Sequence, residues 1–184
     1  MDYLFDKRGN CLSIMLTLKY SDYKDIIFGA YKEKGGIEGQ RDALKTSTAI
    51  RIRKRMIADI LLGTVLPPVV IGAVIDDESY EELAKRTKDQ IIQLLIDHPE
   101  NVSLIDGMQR TTAMIEAENE SNGRLEDYQL RVEVWFARNT NSLIYRMLVL
   151  NSGQVPWDLK RQLETVFKSL IKDLKKSIPE ITIY

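Results

Sequence analysis

The 184-residue chain predicts an α+β (mixed α/β) fold, a small mixed β-sheet with flanking helices. Three observations carry that expectation. Short apolar or alternating runs at residues 11–18, 65–74, 102–105 and 129–136 have strand length and strand composition. Longer stretches between them place apolar residues at helical spacing. The runs alternate along the chain instead of segregating, so helices are expected to cover a sheet built from distant segments.

Cys11 to Leu18 is a turn-bounded apolar run after Gly9-Asn10, and a strand is expected there. Asp22 to Tyr31 places Tyr23, Ile26, Ile27 and Ala30 at helical spacing. Lys34 to Arg41 is a glycine-rich loop ending in Gln40-Arg41; its composition suits a loop around a ligand, but its spacing is not that of a Walker phosphate loop. Thr46-Ser47-Thr48 offers an N-cap for a helix whose apolar stripe is Ala49, Ile52, Met56, Ile57 and Ile60, with Gly63 as its stop. Arg51, Arg53, Lys54 and Arg55 fall within five positions of that helix with no acid among them, a pattern suited to facing phosphates. Val65 to Val74 carries Pro67-Pro68 and then a β-branched run, which reads as a buried strand entered through the prolines. Two capping-box patterns follow, Ser79 with Glu82 and Thr87 with Gln90, so two short helices, or one with a break, are expected before a turn at Asp97 to Glu100. A strand, a helical connection and a second strand can make a crossover that sets the strand at Val102 beside the Pro-Pro strand. Gln129 to Phe136 alternates Leu130, Val132, Val134 and Phe136 against Arg131, Glu133 and Trp135, a strand pattern. A helix with Leu143, Ile144, Met147, Leu148 and Leu150 then ends at Asn151-Ser152-Gly153. After Pro156-Trp157, residues 159–174 form the strongest amphipathic pattern in the chain.

Length and spacing fit one domain over residues 1–184, with a core at about 11–136 and a C-terminal helical part at about 139–178. Residues 180–184 resemble the start of a strand, which is what a fragment of a longer chain would show. A formal net charge of -1 gives no bulk signal of nucleic-acid binding and leaves local patches to decide. One cysteine and one histidine exclude a Cys/His zinc cluster and an intrachain disulfide, so no metal site of that kind is expected and a cytoplasmic location is. No apolar run reaches the roughly 20 residues that span a bilayer, so no membrane partner is expected.

The candidate site lies where Val102 to Ile105 stops at Asp106-Gly107 and a helix begins at once with Gln109-Arg110-Thr111. Glycine permits a sharp turn, and the first helical turn presents unpaired N–H groups with the positive end of the dipole. Such a junction favours a phosphate. Asp106, Gln109 and Arg110 are the candidate catalytic residues. Gly107, Thr111, Gln40, Arg41, Arg51, Arg55 and the Asn151-Ser152-Gly153 turn are the candidate ligand contacts.

Ile-Asp-Gly-x-Gln-Arg-x-Thr at residues 105–112, followed about forty residues later by Leu150-Asn151-Ser152-Gly153, resembles the DGQQR/DGQHR branch of the ParB/sulfiredoxin-like superfamily. That branch includes the GmrS-type restriction NTPase domains and the DndB-type DGQHR proteins. The likeness covers about residues 47–165: a basic amphipathic helix leads into Pro68-Val69-Val70, and Gly107, Arg110 and Ala113 fall on a Gly-x-x-Arg-x-x-Ala pattern. It departs at Met108, where both relatives carry glutamine, and at Gln154, where the restriction domains carry a second glycine. The resemblance implies a ParB/sulfiredoxin-like core plus C-terminal helices, with an NTP and a divalent cation (magnesium) as cofactors. It also implies a role in DNA modification, restriction or phage defence, beside a nuclease or another defence-system partner. The alternative is a non-catalytic DNA-binding or modified-DNA-sensing module that holds backbone phosphates in the same pocket.

Overall fold

The computed structural model describes residues 2–32 and 47–152. Outside them lie the glycine-rich loop with Gln40 and Arg41, the proposed cap at Thr46, Gly153, and the expected C-terminal amphipathic helix and terminal strand. Side chains at 48 and 148–152 are likewise outside the description.

The described chain forms a five-stranded mixed sheet. Its strands are β1 (Asp2–Asp6), β2 (Cys11–Lys19), β3 (Val69–Val74), β4 (Val102–Asp106) and β5 (Gln129–Ala137), in the order β1-β2-β5-β3-β4. β3 and β5 pair in parallel and the other neighbours are antiparallel. The helices are α1 (Tyr20–Lys32), α2 (Ser47–Leu61), α3 (Asp77–Glu82), α4 (Lys88–Asp97), α5 (Met108–Glu120) and α6 (Thr140–Ser152). The α+β expectation is met. β1 is an addition to it, since two acids flanking only three apolar residues gave no strand-length run.

Alternation within the strands divides the buried residues into two layers. Ile14, Leu16, Ile71, Leu104, Val132, Val134 and Phe136 face α1, α2, α4 and α5 in the main core. Cys11, Val70, Ile105, Trp135 and Ala137 face the other way, against Leu143, Ile144 and Met147 of α6. Trp135, expected on the polar side of β5, is on that side but buried, because α6 covers it. Gly72 leaves the space that lets α6 settle onto the sheet: a Cβ there would sit 2.8 Å from a Leu143 methyl.

Three local expectations change. β4 lies beside β3 as anticipated, but antiparallel, so the α3–α4 connection is not a parallel crossover. Its two short helices return the chain to the sheet in the opposite direction. The Thr87–Gln90 capping box forms, whereas Ser79 does not cap α3. Asp76 takes that role, its carboxylate accepting from the Ser79 N–H at 2.8 Å, because an aspartate three residues upstream offers a stronger acceptor than a hydroxyl. The third change is the rotation of α2. Ile52 faces solvent, and Arg53 lies on the inward stripe with Ile57 and Ile60. Gly63 does end α2, with φ +84° and its N–H on the Ile60 carbonyl.

Candidate functional site

β4 delivers Asp106 to the sheet end, and the chain turns into α5 through Gly107 at φ 111°, ψ 13°. That left-handed conformation is open to glycine, and a Cβ at this position would also meet a Val69 methyl at 2.8 Å. The first intrahelical bond runs from the Thr111 N–H to the Gly107 carbonyl at 2.8 Å. No side chain caps this helix end, so its leading N–H groups keep their capacity for an anion.

Arg110 folds back one turn and donates from Nη2 to Asp106 Oδ2 at 2.7 Å. Both side chains are largely withdrawn from solvent, with 20% and 27% of their surface exposed. Arg110 Nε is buried with no hydrogen-bond partner. Arg53 approaches from α2, with Nη1 3.4 Å from Gln109 Oε1 and Nε 3.2 Å from Glu116 Oε1. Arg110 in the first turn of α5 and Arg53 from α2 thus stand at the junction, each paired with a carboxylate, Asp106 and Glu116.

The next turn is locked from the other side by α1. Tyr23 and Thr111 share a hydroxyl–hydroxyl bond of 2.6 Å with both residues fully buried, and Tyr31 and Thr112 share one of 3.2 Å. Burial raises the Tyr23 phenol well above its usual range; the Thr111 bond and the Arg110 guanidinium act against that shift. Thr111, expected as a ligand contact, is instead an internal anchor of α5. At the far end Glu118 accepts from Tyr20 and Lys24, at 3.0 and 2.8 Å.

Asp106, Gly107, Gln109 and Arg110 are thus brought together as expected. Arg51 and Arg55, with Lys54, lie exposed on the outer side of α2. Arg53, not among the expected ligand contacts, is the member of the basic cluster that reaches the junction. Its signal was its spacing, four and seven residues before Ile57 and Ile60. Met108, at the position where the resembled family carries an amide, is half-buried and packs against the main core, so its side chain lines the hydrophobic interior. Asn151 and Ser152 end α6, the helix whose Leu143, Ile144 and Met147 pack on the face of the sheet opposite α5, and Gly153 lies outside the described residues.

Asp106 can offer one carboxylate to a cation. Among the described residues no cluster of three or more His, Cys, Asp or Glu is placed to hold a metal, and no helix is long and apolar enough to cross a membrane. No family model, curated protein or solved structure matches the chain.

Proposed function

We propose that the chain is a phosphate-binding domain of the ParB/sulfiredoxin-like kind that takes a nucleoside triphosphate at the β4–α5 junction and hydrolyses it. The observation that carries this reading is the approach of Arg110 and Arg53, from two helices, to the uncapped N-terminus of α5. A phosphate oxygen that displaces Asp106 from Arg110 gains a charge-assisted contact and supplies a partner for the orphaned Nε. Helix N–H groups hold a second oxygen. Gln109, once released from Arg53, orients a water toward the terminal phosphorus. The donor set fits magnesium, which takes one or two carboxylates plus substrate phosphates; Asp106 would be its protein ligand, and the ion would neutralise phosphate charge. The setting in DNA modification, restriction or phage defence, and the cytoplasmic location, rest on the resemblance and composition alone.

A second reading, in which the site holds DNA backbone phosphates without turnover, is favoured by Arg51, Lys54 and Arg55. These three cations stand exposed on α2, the helix that also carries Arg53.

Nucleotide binding and phosphate release, each with and without magnesium, test the first reading. Arg110→Ala is expected to weaken nucleotide binding by about 10- to 100-fold, the value of a hydrogen bond to a charged group, with far-UV circular dichroism unchanged. Equal affinities for wild type and variant would remove the proposal. Binding that needs Arg110 but never releases phosphate would favour the DNA reading. There, affinity should fall steeply with salt, and Arg55→Ala should flatten the slope by about one.

A further inference from the structure

Each guanidinium at the junction is paired with a carboxylate, and the two carboxylates differ in what else they can do. Asp106 ends β4 beside the first turn of α5, so its carboxylate can pass from Arg110 to a magnesium ion. Glu116 lies seven residues after Gln109 on the same face of α5, about 10 Å further along the helix axis. That is well below the leading N–H groups, and its partner is Arg53. Arg53 Nε is 3.2 Å from Glu116 Oε1, while Arg53 Nη1 is a longer 3.4 Å from Gln109 Oε1. The contact between charges is the stronger of the two and sets where the guanidinium rests. The Arg53 side chain is 16% exposed and that of Glu116 41%, so Glu116 remains open to water when the cation leaves it. With both pairs formed, the four charged side chains cancel, and an incoming triphosphate gains attraction only as the carboxylates let go.

We propose, resting on the phosphate-site reading of this junction, that Glu116 is an autoinhibitory positioning residue. It holds Arg53 back along α5, and a bound triphosphate draws Arg53 off Glu116 toward the first turn. The same exchange breaks the Arg53–Gln109 contact. Gln109 is then released to orient water only when a phosphate is present to take the guanidinium, which links the water-orienting group to occupancy of the site. Ile57 and Ile60 anchor α2 in the main core, so the exchange needs only the end of the Arg53 side chain to turn.

Glu116→Gln keeps the shape of the side chain and an acceptor for Arg53 but removes the charge. Titration of the whole chain with each common ribonucleoside triphosphate and magnesium tests the effect. The variant is expected to bind about two- to fivefold more tightly than wild type, the range of a partly exposed ion pair. A purely structural pair would leave binding unchanged or weaken it, and either result overturns the proposal. Loss of a carboxylate also lessens general repulsion of an anion, so the same substitution is made in an Arg53→Met background. There it is expected to add nothing, because Glu116 acts through Arg53. Equal tightening in both backgrounds would reveal a field effect and overturn the proposal. Arg110→Ala in the same titration separates this regulation from the site itself. If Arg110→Ala weakens binding while Glu116→Gln leaves it unchanged, the brake is wrong and the site stands. A wild type that binds no triphosphate removes the site and the brake together. Urea unfolding of each variant checks that it is folded.

Discussion

Cys11 sits beneath α6 with no exposed surface, its thiol donating to the Gly9 carbonyl at 3.2 Å. Burial first, and the Asp6 carboxylate second, push the thiol from an ordinary 9.0 up to about 11. The folded state therefore favours the protonated thiol. That contribution to stability is complete below about pH 9 and is lost as pH rises through about 11. At pH 8 the folded thiolate population is about a hundredfold below that of an ordinary thiol, and modification by a disulfide reagent should be slower by at least that factor. Rapid modification of folded protein at pH 8, compared with a denatured control, would contradict this environment. The residue scale also shows what pattern reading missed in Thr111. Its place beside Gly107 and Arg110 made it a ligand contact, yet a threonine hydroxyl bonds equally well to a buried tyrosine. Only the approach of α1 decided between the two.

At the level of elements, the junction depends on how α5 leaves β4. Gly107 combines a positive φ with close contact to Val69, so alanine there meets backbone strain and a clash together. Gly107→Ala is expected to cost on the order of 1–3 kcal/mol in urea unfolding, with phosphate binding weakened as the helix end shifts. A neutral effect on both would show that the turn has conformational room to spare. The rotation of α2 is the matching lesson in legibility. Adjacent residues on a helix differ by about 100°, so a stripe read through Ile52 and one read through Arg53 differ by a single step. Apolar counting chose isoleucine. The folded chain turned Arg53 inward because Gln109 and Glu116 of α5 supply partners that a lone sequence segment does not reveal.

Over the whole described molecule, one sheet supports two cores, and α6 with its small cluster shares β3, β4 and β5 with the larger one. Because both layers use the same strands, they should unfold together. Leu143 is almost fully buried against Gly72 and Ile105, so Leu143→Ala is expected to cost about 2–5 kcal/mol. Circular dichroism and amide exchange in β2 should report one shared transition; an early transition confined to α6 would show the layers to be independent. The sequence by itself determined four of the five strands, the helices between them, and the gathering of Asp106, Gly107, Gln109 and Arg110, because these depend on periodicity and on residues adjacent in the chain. It did not reveal β1, whose exposed edge has no buried face to impose a pattern, or the antiparallel return to β4. Nor did it reveal Arg53 and Tyr23 as neighbours of the site. Those depend on which distant segments meet, and tertiary packing alone brings residues 23, 53 and 110 to one helix end.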